Sequence, residues 1–221
     1  MRTTLLNWLV QVHAQFRLLP ETLHLTANII DRFLSLKPVS LEKLQLAGIA
    51  SLFIACKFEE IVVPGVDHLV YMVAGSSSPA DILAAERFVL GILKYDLGAP
   101  SPHQFMRRIA KADGFDVRPR VLAKYLMEVM LLDERFLPWP ASKVAAVATF
   151  VARKAISQAD WTPAHVELSG YMEAEILPGA YMLIDSVATR APGTFVYEKY
   201  CQAKFMYAAW YMGEYIKRGG G

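Results

Sequence analysis

Residues 41–60 read LEKLQLAGIASLFIACKFEE, and the fold turns on how this stretch is read. Between Leu44 and Cys56 nearly every side chain is apolar or small, with Gln45 and Ser51 as the interruptions. A helix that is apolar on all sides belongs in the middle of a fold, because no face of it suits water. This one ends in Lys57, Phe58, Glu59 and Glu60. Those charges either mark a last turn emerging into solvent or are delivered to one place on the surface.

Outward from this segment, apolar residues recur with helical spacing, and the alternation that marks strands is missing. Residues 2–17 carry a broad apolar face of Leu5, Leu6, Trp8, Leu9, Val12 and Phe16. Pro20 opens a second helix that Pro38 closes, since proline is tolerated in a first turn and disrupts a later one. Ser40 is placed to cap the central helix, with Lys43 three residues on, so a full capping box is not expected. Pro64-Gly65 breaks the chain before a short helix over 66–73. The loop GSSSPAD then supplies Ser78 as N-cap and Pro79 as first residue of a fifth helix ending near Leu93.

The segment KYDLGAPSP (94–102) reads as a linker from its glycine and two prolines. Beyond it the order of events recurs, with helices expected over roughly 102–112, 118–134, 140–157, 163–170 and 173–189. IIDRFL (29–34) matches LLDERFL (131–137), and each copy precedes a helix rich in Ala and Val. A period near 100 residues is too long for a solenoid and suits a duplicated five-helix domain. The expected fold class is therefore all-α, with two tandem five-helix folds over 1–94 and 102–190. A linker (95–101) joins them, and a helical tail (191–221) follows. The second central helix ends ARKAISQ, with nothing like KFEE, which points to a one-sided interface on the first copy.

Composition narrows the function. With 221 residues, 54% hydrophobic and 20% charged, the chain can bury a sizeable core. A net charge of +2 leaves no electrostatic footprint for direct nucleic-acid binding. The longest apolar run, Leu46–Cys56, is short of the roughly 18 residues a membrane span needs, and no signal peptide is visible. Cys56 and Cys201 make no disulfide framework, and Cys56 is expected to be a buried thiol. No glycine-rich phosphate loop, nucleophile elbow or zinc motif occurs. Glu21 and His24 have the spacing of a di-iron ligand pair but lack the second copy such a site needs. Arg107, Arg108 and Lys111 read as a solvated face beside Asp113. Neither an enzyme nor a cofactor is expected.

Several stretches taken together resemble the cyclin family. MRTTLLNWLVQVH resembles the segment that opens the cyclin box. ETLHLTANIIDRFL, KLQLAGIASLFIACKFEE and AERFVLGILKYDLGAP resemble its next helices. LAKYLMEVMLLDERFL is similar to the second fold of B-type mitotic cyclins, closest to fungal ones. The resemblance runs from Met1 to about residue 215. It implies a regulatory subunit that activates a cyclin-dependent kinase at the G2/M transition, in nucleus and cytoplasm. The alternative is a duplicated fold like that of transcription factor IIB, binding DNA and protein, which would require a basic face.

The resemblance also implies residue roles. Lys57 matches the lysine that bonds backbone carbonyls near the kinase's regulatory helix, and Glu86 the glutamate that completes the contact; both are expected to be exposed. Ile54, Phe58, Tyr95 and Leu97 match apolar residues packed on the kinase helix, and Glu59 and Glu60 carboxylates facing its activation segment. Arg2 and Asp31 match a brace between the first two helices. An exposed face of Met1, Leu5 and Trp8, with Gln11, Leu44 and Gln45, matches the patch that docks Arg-x-Leu motifs of substrates and inhibitors. Thr4 and Gln11 depart from the family there, so docking is expected to be weaker or differently selective. In the family, a further helix and a destruction box precede this Met. The chain is thus expected to be a fragment, a truncated reading or a short form.

Overall fold

The computed structural model describes residues 1–157 and 159–219, and among these every regular element is helical. The contacts divide it into two units, Met1–Ala99 and Pro100–Gly221. No helix among the described residues is long and apolar enough to cross a membrane.

The first unit contains α1 (Arg2–Phe16), α2 (Pro20–Leu36), α3 (Leu41–Glu59), α4 (Val66–Met72) and α5 (Pro79–Ile92). Helix α3 packs against α2, α5 and α1, and Ala47 to Cys56 are buried without a break. An all-apolar helix is stable in this position because three neighbours share its circumference. Gly48 permits the approach of α1: a Cβ there would lie 2.9 Å from Leu5 Cδ1. The Cys56 thiol, inside this core, has its pKa pushed up to about 12 by burial and then by the Glu60 charge.

The helix ends differ from expectation in one respect. Ser40 is the N-cap of α3 by position, yet its side chain makes no capping hydrogen bond. Ser78 caps α5 with a full box: its Oγ accepts from the Asp81 N–H, and the Asp81 carboxylate accepts from the Ser78 N–H. The carboxylate three residues on, present after Ser78 and replaced by Lys43 after Ser40, accounts for the difference.

The second unit repeats the order with α6 (Pro102–Ile109), α7 (Val117–Leu132), α8 (Ala141–Ser157), α9 (Pro163–Ser169) and α10 (Glu173–Thr189). Here α8 is central, packed against α7, α6 and α10. The repeated motif has two local fates. IIDRFL stays inside α2, whereas in LLDERFL the helix stops at Leu132 and Asp133 caps a 3-10 turn (Glu134–Phe136) by accepting from the Arg135 N–H. Helices α11 (Phe195–Tyr200) and α12 (Ala208–Lys217) also belong to this unit, packing on α7. The Lys199 ammonium and the Tyr200 hydroxyl both donate to the buried Glu128 carboxylate at 2.7–2.8 Å.

Candidate functional site

The site is built where α3 leaves the core. Burial is complete through Cys56, so Lys57 is the first side chain of the last turn to meet solvent. Its Nζ donates to Glu86 Oε1 at 2.7 Å and lies 4.1 Å from the centre of the Phe53 ring one turn earlier. The pair is lopsided: the Lys57 side chain is 45% exposed and that of Glu86 9%. Glu86 is thus not the exposed partner expected from the sequence. It sits on the α3-facing side of α5 and is covered as part of that packing. An ammonium carries three donors. With Glu86 fixing one, the half-exposed head can present the others to an incoming acceptor.

Large side chains stand uncovered at the ends of the two helices that carry this pair. Phe58 is 56% exposed and Tyr95 70%. Tyr95 follows Lys94 in a second left-handed residue, and its N–H bonds back to the Leu90 carbonyl, closing α5 with the ring outside. Ile61 is fully exposed and Val62 nearly so, directly after the charged turn. Sequence reasoning missed these two. The signal was available in IVVPG, apolar residues in a segment that proline and glycine keep out of any helix.

One expected anchor is buried and another is half-buried. Ile54 is buried in a cluster with Leu25, Phe33, Val89 and Leu93, because it lies one turn deeper than Phe58 and α2 and α5 close over it. Leu97 is partly buried against the same cluster.

One oxygen of Glu60 is already engaged within the unit. Its Oε1 accepts from the Leu19 N–H at 2.7 Å and the Thr22 hydroxyl at 2.5 Å, supplying α2 with the N-terminal cap its own N-cap residue, Leu19, cannot provide. Glu59 is half-buried; burial first, then the charges of Glu21 and Glu60, raise its pKa above the ordinary glutamate range.

The second candidate surface lies on α1. Arg2 holds Asp31 through two hydrogen bonds, Nε–Oδ1 at 2.7 Å and a terminal nitrogen to Oδ2 at 2.8 Å, tying α1 to α2. Met1 and Gln11 are exposed, and Trp8, Leu44 and Gln45 are half-buried. Leu5 corrects the expectation: it is buried against Gly48 and belongs to the core beneath the patch. Thr4, next to it, is exposed.

The internal repeat shows what is particular to the first unit. An ungapped alignment of α3 with α8 places Phe53 and Lys57 on Phe150 and Lys154. The lysine-on-ring contact recurs, at 5.6 Å. Its carboxylate does not: Lys154 reaches the exposed Asp160 at 3.4 Å, and alignment of α5 with α10 puts Ala180 where Glu86 stands. KFEE and ARKAISQ therefore differ in their carboxylates and not in the lysine. The lysine is common to both copies, and the buried carboxylate beside it is not.

Comparison with known proteins bears on both units. A family model for the cyclin N-terminal domain matches residues 1–98, and one for the cyclin C-terminal domain matches residues 100–212. The chain is 44% identical over 218 residues to the G2/mitotic-specific cyclin cdc13 of Schizosaccharomyces pombe, covering 99% of this chain and 45% of that protein. It is 41% identical to the G2/mitotic-specific cyclin-B of Emericella nidulans, covering 99% and 46%. The chain thus spans about half the length of the curated relatives it matches. Among solved structures, a viral cyclin from herpesvirus saimiri superposes with a TM-score of 0.76 at 20% identity, covering 84% of this chain and 83% of that one. At that identity the likeness speaks to the fold.

Proposed function

This chain belongs to the cyclin family, and from that premise we propose that it is the non-catalytic regulatory subunit of a cyclin-dependent protein kinase acting at the G2/M transition. The observation that carries this reading is the half-exposed Lys57 ammonium, held by the buried Glu86, on a unit where Phe58 and Tyr95 are uncovered. A docking surface wants apolar anchors that bury area and a few polar groups whose bonds are pre-arranged. Lys57 held by Glu86 is such a group, offering its remaining donors to backbone carbonyls at the end of a kinase helix. Binding one conformation of that helix better than the others shifts the kinase population toward it, and the active arrangement is the one that completes its catalytic ion pair.

Substrate selection is assigned to the α1 surface. Met1, Trp8, Gln11, Leu44 and Gln45 would contact Arg-x-Leu segments, with Leu5 supporting them from the core. A DNA-binding role is disfavoured by the net charge of +2 and the carboxylates beside the contact face.

The test is calorimetric titration against a panel of cyclin-dependent kinases, with circular dichroism alongside. Lys57→Ala should weaken binding to the cognate kinase by about 2–5 kcal/mol, the usual cost of truncating one partner of a buried charged contact. Phe58→Ser with Tyr95→Ser, both on exposed side chains, should weaken binding while leaving helicity intact. Native affinity in both variants would overturn the assignment.

A further inference from the structure

A recess in the first unit lies at the opposite end of α3 from Lys57. Its volume is about 550 Å³, and the end of α2, the 37–40 connection, the start of α3 and the start of α5 enclose it. That is within the roughly 300–1,000 Å³ usual for ligand sites. The space exists because alanines stand at the lining positions: Ala47 on α3 and Ala84 and Ala85 on α5. Phe33 and Phe88 form one wall, edge to face with centroids 6.0 Å apart, and the Phe88 ring is half-exposed.

The charges around this apolar floor favour one sign. Lys37 and Lys43 line it and are both exposed, and after the Ser78 hydrogen bonds the Lys43 charge also acts on the Asp81 carboxylate, lowering its pKa. Asp81 is the acidic lining residue, and its Oδ2 already accepts from the Ser78 N–H and hydroxyl. Ser40 also lines the recess, at the N-terminus of α3, where its hydroxyl performs no capping. An uncapped helix start adds to the attraction for a negative group.

We propose that this recess docks a short peptide in which a large apolar side chain stands beside carboxylates. The apolar side chain enters over Ala84 and Ala85 against Phe88, and the carboxylates meet Lys37 and Lys43. Along α3, Lys43 is 14 residues from Lys57, roughly 21 Å at 1.5 Å per residue, so occupancy need not compete with the face assigned to the kinase. The proposal does not depend on that assignment.

The experiment is fluorescence polarisation of the whole chain with two labelled peptides, Gly-Asp-Asp-Leu-Phe-Asp-Gly and its charge-swapped form Gly-Lys-Lys-Leu-Phe-Lys-Gly. The acidic peptide should bind at least tenfold more tightly. Lys37→Glu with Lys43→Glu, both on exposed side chains, should reverse that preference. Ala84→Leu, which fills the recess from an exposed position, should weaken the acidic peptide at least tenfold with unchanged circular dichroism. Equal binding of the two peptides, no binding up to millimolar concentration, or undiminished binding to Ala84→Leu would overturn the proposal. Sedimentation of the free chain addresses the rival occupant: a dimer dissolved by Ala84→Leu would assign the recess to a second copy instead. Kinase titration of the lysine variant separates this site from the other, since loss of kinase binding there would mean the two faces are one.

Discussion

At the scale of single residues, the carboxylates around the end of α3 have separate tasks. Glu86 accepts from Lys57, and Glu60 caps α2. Glu59 is held between the charges of Glu21 and Glu60 with partial burial, and its pKa is raised. A carboxylate whose folded pKa exceeds its unfolded one favours folding while protonated and loses that contribution as pH rises through the folded value. Glu59→Gln should therefore raise the melting temperature at about pH 7 and have little effect near pH 4, close to the ordinary glutamate pKa of about 4.3. Thermal melts of both proteins across that range check it; a pH-independent difference would remove the electrostatic cause. His165 carries the opposite sign. Its pKa is lowered to about 4 by burial and then by Arg153, so its contribution is lost as pH falls from about 6.5 toward 4. The lysine, the phenylalanine and the tyrosine of the contact face were legible as residue types. That Glu86, Ile54 and Leu5 lie inside was not, because depth along a helix depends on which neighbours cover each turn.

At the scale of elements, two serines in similar positions predict unlike effects. Ser78→Ala removes a working capping box from α5, the helix that carries Glu86, and should cost about 1 kcal/mol. Ser40→Ala removes a side chain that caps nothing and should leave stability within about 0.5 kcal/mol of native. Urea unfolding followed by circular dichroism measures both. The ten expected helices are found close to their expected bounds because proline, glycine and period 3.6 mark them locally. Whether a cap forms is less local, since α2 takes its cap from Glu60, thirty-eight residues beyond Thr22.

At the scale of the whole molecule, duplication supplies an internal control. Lys154 repeats the position of Lys57 and its contact with a ring, without a buried carboxylate partner. Lys154→Ala should leave kinase affinity unchanged where Lys57→Ala lowers it, in the same titration; equal losses would show that the lysine position alone has no special role in the first unit. The second unit depends instead on a buried polar cluster. Lys199→Ala would leave the Glu128 carboxylate buried with the Tyr200 hydroxyl alone, and should destabilise by about 3–5 kcal/mol. Glu128→Leu with Lys199→Met should be far milder in the same unfolding measurement, because neither charge remains to be desolvated.

The helical class, the order of elements, the tandem folds and the family are all readable along the chain, because periodicity, breakers and motif spacing are properties of neighbouring residues. The sequence by itself also placed a lysine and aromatic side chains at the end of a buried helix. Tertiary structure alone decided which of the matched residues face outward. Glu86 and Ile54 are covered by helices brought from elsewhere in the chain, and Glu60 is taken by the start of α2. The recess at Ala84 and Ala85 likewise exists only where α2, α3 and α5 converge, since a short side chain becomes a cavity only against a neighbour.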